Sequence, residues 1–412
     1  MSYSPSQLPG PLPAVVVGMN AGGLGVVRSL ARRGVPTIIV DDTLDKPEMA
    51  TRHGVARLAL PIRTPALIDG LLELARGSDH RPVLIATQRL PLLRISEGRA
   101  ALAEAYRMLL PAHEMLVQME NKEHLIAIAS AAGLRLPRGL ILNSEEALEQ
   151  ARDLRCPLIL KPADNDLGYM QRFKKAYILD DMDAVARLAR DVWPYYRNLV
   201  VQEWVGGGDE QIYFCLQYRD AEGRVVSAFV GRKLLSWPPG KGATAACTVA
   251  DGYHEEVRAM ADRLFDRVGL CGFGSIELKR DPATGDFYLI EPTVGRTDQQ
   301  EEVATLNGVN IPYAAYCDLT GAPLPTQQKT PRRPKTWRDP LPTRWAQQQL
   351  RAEGRAAPSL RSTPPGVIDA YFRWDDPLPG LLNQAQRLPE PLAGAMRRLL
   401  GPRPAAAALL GP

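Results

Sequence analysis

Cysteine is scarce and scattered in this chain: Cys156, Cys215, Cys247, Cys271 and Cys317 are the five among 412 residues, and no two stand in a C-x-x-C spacing. That argues against a zinc site, a redox motif or a disulfide framework, and fits a reducing cytosol. Histidine is as sparse. His53, His80, His113, His124 and His254 fall in no motif, so each reads as a surface or packing residue, and no Ser/His/Asp constellation is expected. No stretch approaches the roughly eighteen consecutive apolar residues of a membrane span. The start, Met1-Ser-Tyr-Ser-Pro-Ser, lacks the charged and apolar regions of an export signal, so neither export nor membrane association is expected. Dense Lys/Arg runs beside stacking aromatics are also missing, and the formal charge is a modest +4. Nucleic acid is therefore a poor partner, whereas acidic small molecules and phosphates remain compatible.

What is present is a soluble, globular composition over a length that suits two or three domains. Residues 1–13 hold four prolines and read as a disordered lead-in. The apolar run Ala14 to Gly18, the glycine-rich Gly18-Met-Asn-Ala-Gly-Gly-Leu-Gly25, an amphipathic stretch Val26 to Arg33 and the strand Thr37 to Asp41 make a βαβ unit. With a helical stretch at Pro65 to Ala75 and a strand at Pro82 to Ala86, this predicts a Rossmann-like domain with a parallel sheet over 14–115. From residue 116 the texture is mixed α+β: helices at Lys122 to Ala132, Ser144 to Arg152, Met182 to Val192 and Glu255 to Val268, and strands at Pro157 to Lys161, Leu199 to Glu203, Gln211 to Tyr218 and Val225 to Lys233. Three glycines, Gly206 to Gly208, divide 116–325 into lobes of about 116–205 and 206–325. Residues 326–412, Pro/Arg-rich, read as an extension of short helices with a disordered end. Its Trp337, Trp345 and Trp374 are expected as packing anchors that cover an apolar patch or form a homodimer contact.

The chemistry concentrates in one hairpin. Gly274 to Lys279 and Phe287 to Thr293 alternate in period two around the turn-rich Asp281-Pro-Ala-Thr-Gly-Asp286. That register sets Glu277 opposite Glu291, with Ser275 near Thr293. Like charges across a ladder repel unless a cation lies between them. The pair reads either as a Mg²⁺ site completed by substrate phosphates or as a solvated hairpin with Lys279 as counter-ion. Lys161 ends an apolar strand and precedes the polar Asp164 to Gly168, a pattern suited to phosphate; Lys122 opens a helix. Gln202-Glu-Trp-Val205 leads into the triple glycine, where a strand edge could meet an adenine, and Glu210 beyond it could meet ribose hydroxyls. Gly231-Arg-Lys233 puts two cations at an expected strand end. The glycines after the first strand, with Asp41 and Asp42, imitate a dinucleotide fingerprint, but their spacing departs from G-x-G-x-x-G.

Taken in order, these motifs resemble the ATP-grasp superfamily over roughly residues 14–325, in particular its carboxylate–amine ligase branch, which looks like D-aspartate ligase and biotin carboxylase. The resemblance implies ATP and Mg²⁺. It casts Lys122 and Lys161 as phosphate-binding lysines, Gln202, Glu203, Trp204 and Val205 as the adenine hinge, and Glu210 as the ribose carboxylate. Arg232 and Lys233 become cations for phosphate or acyl phosphate, Glu277 and Glu291 the metal ligands, and Arg296 a substrate anchor. Thr293 stands where the family's motif carries asparagine. The implied reaction activates a small-molecule carboxylate as an acyl phosphate and couples it to an amine. The alternatives are a non-catalytic nucleotide-binding protein, a carboxylating enzyme that uses bicarbonate, and a nicotinamide oxidoreductase.

Overall fold

The computed structural model describes residues 11–77, 80–163, 167–326, 333–358, 360 and 366–386. Most of the expected lead-in and all of the Ala/Leu/Pro tail lie outside them.

Four strands, β1 (Ala14–Val17), β2 (Thr37–Asp41), β3 (Gly54–Ala59) and β4 (Val83–Ala86), form a parallel sheet in the order β3-β2-β1-β4. The Ala/Val run of β1 is buried throughout, as a parallel strand covered on both faces must be. β3 escapes sequence reading because it is an edge strand with half-exposed, partly polar residues. The helix after β1, α1 (Ala21–Ala31), begins earlier than expected, with the Asn20 side chain capping Gly23 N at 2.9 Å. Gly22, Gly23 and Gly25 are therefore helical rather than part of a phosphate loop. Each permits a close contact: a Cβ on Gly23 would lie 2.3 Å from Gly18 O, one on Gly22 3.0 Å from Gln299 Cα, and one on Gly25 2.7 Å from Glu302 Cβ. The dinucleotide imitation fails at its acid as well, since Asp41 is buried, accepts from the Met19 and Asp42 amides and pairs with Lys46.

A second sheet holds β5 (Gly139–Leu142), β6 (Leu158–Pro162), β7 (Tyr177–Leu179) and β8 (Leu199–Glu203) in the order β5-β8-β6-β7, all antiparallel. The third and largest contains β9 (Ile212–Arg219), β10 (Val225–Trp237), β11 (Ala243–Val249), β12 (Gly272–Arg280), β13 (Phe287–Val294), β14 (Thr336–Arg338) and β15 (Val367–Asp369). Its order is β13-β12-β9-β10-β11-β14-β15. β10 runs on to Trp237, so Gly231-Arg-Lys233 lies mid-strand and not at a strand end. Helices His113–Glu120 and Lys122–Ala131 bridge the parts: Leu116, Met119 and Leu125 share one core with Val15 and Ile38 of the first sheet and with Ile276, Leu278 and Leu289 of the third.

The extension is more than short helices. It adds β14 and β15 to the third sheet, and the helix Pro340–Ala352 packs Ala346 and Leu350 on Leu235 and Ala245. It then returns to the first sheet's unit, where the buried Arg28–Asp376 pair closes at 2.9 Å and Thr51 Oγ1 and Arg52 N donate to the same carboxylate. Of its tryptophans, Trp337 is fully buried and Trp345 lies tilted against Trp237, with ring centroids 5.7 Å apart and planes at 47°. Trp374 departs from the anchor expectation: it is 92% exposed, its ring meeting Phe372 edge-on. No helix among the described residues is long and apolar enough to cross a membrane.

Candidate functional site

A cavity of about 510 Å³ opens between the second and third sheets and is closed at one end by the first sheet's unit. Its walls come from β6 and β8, from the β8–β9 crossing at Gln202 to Val205, from β10, β12 and β13, and from the segment Arg296 to Gln300, with Asn20, Gln88 and Arg89 at the far end.

On the third sheet, the cross-strand register expected of the hairpin is present, Glu277 opposite Glu291 and Ser275 opposite Thr293. The counter-ion is not Lys279. From mid-β10, Lys233 Nζ donates to the two Glu277 carboxylate oxygens at 2.7 and 2.8 Å. Burial raises the Glu277 pKa against the pull of Lys233, while for Lys233 burial is outweighed by the Glu277 charge and its pKa rises too. Glu291 and Thr293 line the same cavity, Glu291 exposed to it.

Opposite stands Lys161 on β6. Burial pushes its pKa down to about 8, with the nearby Lys122 adding repulsion and Glu291 offsetting part of it. Lys122 also lines the cavity, and its Nζ donates to Pro162 O at 2.7 Å and Ala163 O at 3.3 Å, at the end of β6. At the crossing, Glu203 N and Trp204 N donate to Arg138 O and Pro157 O. Burial opposes ionisation of Glu203, but Arg155, through its side chain and backbone N–H, holds that carboxylate below the usual range. Gln202, Glu203, Trp204 and Val205 all line the cavity, as do Lys233 and Arg296, whose Nη1 donates to Thr297 O at 3.2 Å.

Two expected residues are not brought in. Arg232 sits on the opposite face of β10 from Lys233, as strand alternation dictates, and pairs with Asp251 at 3.1 Å. Glu210 is exposed, lies outside the lining and accepts from Gly208 N at 3.2 Å. Its neighbour Asp209 is buried, accepting from Ser236 N and Gly240 N, and so ties the crossing to the end of β10.

Sequence reading passed over Asp298, which lines the cavity and is held by Ser275 Oγ at 2.7 Å and Gln299 N at 2.8 Å. It also missed the stacking of Lys279 on Trp204, with Nζ 4.1 Å from the ring centroid. Asp298 lies in no periodic element and carried no signal. Lys279 did carry one, since it is two residues along a strand from Glu277 and so on the same face.

No family model matches the chain. Among curated proteins it is similar to D-aspartate ligase of Enterococcus faecium, 25% identical over 263 residues. That match spans 60% of this chain and 62% of the ligase. Among solved structures, N5-carboxyaminoimidazole synthetase of Staphylococcus aureus in complex with ADP superposes with a TM-score of 0.62 at 12% identity, over 86% of this chain and 87% of that one. L-amino acid ligase of Bacillus licheniformis gives 0.57 at 15% identity, over 78% of each. The structural likenesses establish the shared fold.

Proposed function

We propose that the chain is an ATP-grasp enzyme, on its likeness to D-aspartate ligase, and that it is an ATP-dependent carboxylate–amine ligase, which activates a small-molecule carboxylate as an acyl phosphate and couples it to an amine. The observation that carries this reading is the facing of Glu277 and Glu291, across one cavity, by Lys161 from another sheet and Lys122 from the helix Lys122–Ala131. Carboxylates on one side and lysines on the other are what a metal-bound polyphosphate requires.

The donor set fits Mg²⁺. Among the described residues no group of three or more His, Cys, Asp or Glu is placed to hold a metal. Two carboxylates with the Thr293 hydroxyl, however, make a hard-oxygen site of the kind that substrate phosphates complete. When bound there, the ion neutralises phosphate charge in phosphoryl transfer. Lys233 keeps one Glu277 face neutralised and oriented. Lys161 and Lys122 bind the phosphates. The crossing Gln202 to Val205 receives the base, and Arg296 anchors the substrate carboxylate. The carboxylate attacks the γ-phosphate, ADP leaves, and the amine nitrogen displaces phosphate from the acyl carbon. Positioning and charge neutralisation supply the catalysis, and no protein nucleophile is needed.

The same reading places the enzyme in a reducing cytosol, with which the five free cysteines agree. The expected homodimer rests on the exposed Trp374, and sedimentation of wild type against Trp374→Ala tests it. The function is tested by Mg²⁺-dependent ADP release over a panel of carboxylates and amines, with hydroxylamine as a trap for the acyl phosphate. Stimulation by one acid–amine pair, lost in Glu291→Gln, supports the ligase. ATP binding without turnover on any pair favours a non-catalytic nucleotide-binding role, and no ATP binding sinks the site.

A further inference from the structure

One cation in the cavity wall has no role in the chemistry above. Lys279 is 3% exposed, and its ammonium makes no hydrogen bond. Its contact is the face of the Trp204 indole. A desolvated ammonium loses more by leaving water than one cation–π contact returns, so the arrangement is incomplete as it stands. Nearby acids do not complete it. Asp209 accepts from Ser236 N and Gly240 N, Glu210 from Gly208 N, and Asp281 from Ala283 N. Each acts on Lys279 through space, while Asp209 gives both oxygens and Glu210 and Asp281 one each to backbone amides.

The position is informative. Trp204 belongs to the crossing between the second and third sheets, and Lys279 lies beneath it in the cavity wall, beside the apolar Ile159, Ile212 and Leu289. Apolar walls with one buried donor suit a flat heterocycle and its sugar. Glu210, expected to meet ribose, lies outside the lining with Oε1 accepting from Gly208 N, whereas Lys279, a donor, lines the cavity.

We propose that Lys279 is a nucleoside-binding residue, whose ammonium donates to an acceptor atom of the bound nucleotide, either a purine ring nitrogen or a ribose oxygen. Lysine has three donors and no acceptor, so it cannot serve an exocyclic amine, and it selects for nucleosides that offer a lone pair at this point. The inference rests on the nucleotide reading above and refines which part of the chain reads the nucleoside.

The test is calorimetric titration of ATP, 7-deaza-ATP, 3-deaza-ATP, 2′-deoxy-ATP and 3′-deoxy-ATP into wild type, Lys279→Met and Lys279→Gln, with Tm measured for each. Lys279→Met should weaken ATP by about tenfold or more, the range for a hydrogen bond to a charged group. Its Tm should hold or rise, because a buried unpaired charge has gone. Lys279→Gln, which keeps a donor, should recover part of the affinity. One analogue should bind wild type more weakly than ATP does yet bind Lys279→Met equally well, which identifies the acceptor as ring nitrogen or ribose oxygen. ATP affinity within twofold of wild type in a folded Lys279→Met overturns the inference and leaves the ligase reading standing. A fall in Tm with unchanged affinity does the same and assigns the lysine to packing on Trp204. If wild type binds no nucleotide, the nucleotide reading itself fails.

Discussion

At the turn from β1 into α1, every close approach that the glycines permit is filled by protein: Gly18 O over Gly23, Gln299 over Gly22 and Glu302 over Gly25. In the wall made by β12 and β13, by contrast, Glu277 and Glu291 face each other, with Lys233 on the first and the open cavity at the second. Both regions carry a motif associated with nucleotides. The first consumes its own motif in packing, while the second leaves charge that the protein alone does not neutralise. Small residues show that something comes close without showing what. An incompletely paired charge at a cavity edge says that the missing partner is a ligand.

The contrast can be broken most sharply at Glu291. Glu291→Gln should lower turnover by about a hundredfold or more, as loss of one transition-state electrostatic contact does, while Tm and the fold hold, because the side chain is exposed. Steady-state ADP release checks this. Next, Gly23→Ala should cost about 2 kcal/mol in stability through overpacking, since its Cβ would meet Gly18 O. Denaturant unfolding should record the loss, whereas ATP affinity of the folded protein should stay at the wild-type value. If ATP affinity fell instead, the glycine turn would be a ligand site and the contrast would collapse.

A smaller effect should come from Lys161. Its pKa is depressed to about 8, so the free protein loses that charge as pH rises through 8, and binding an anionic phosphate must restore it. ATP affinity should therefore fall by about tenfold between pH 7 and pH 9, with proton uptake on binding above pH 8. Calorimetry in buffers of different ionisation enthalpy measures both, and Lys161→Met should make the profile shallower, the remaining slope belonging to Lys279, whose pKa burial likewise lowers to about 8. The smallest effect belongs to Glu210: Glu210→Gln should change ATP affinity by less than about twofold, since its carboxylate serves Gly208 N outside the cavity.

Much of the architecture was legible. The buried Ala/Val run of β1, the helix Met182–Val192 and the strand Leu199–Glu203 were readable from period and turn chemistry. The strands that escaped, β3, β5, β7, β11, β14 and β15, are short or lack clean alternation, and their pairing is set by distant partners. In the site, the Glu277–Glu291 register followed from a single hairpin, because a local turn fixes which residues oppose. Arg232 and Lys233 could not be told apart until the extent and facing of β10 were known, since strand neighbours point to opposite sides. The extension's Asp376 offered no sign that it would meet Arg28, 348 residues away in sequence.

By itself, then, the sequence determined the local periods, the hairpin register and the order of charged motifs along the chain, all consequences of interactions spanning a few residues. Tertiary structure decided which of those charges share a cavity. It turned Lys233 toward Glu277 and Arg232 away, packed Gly22 and Gly25 of α1 against the 298–302 segment, and buried Lys279 under Trp204. Those outcomes depend on long-range packing, in which the desolvation of each charge is weighed against partners that only the assembled fold supplies.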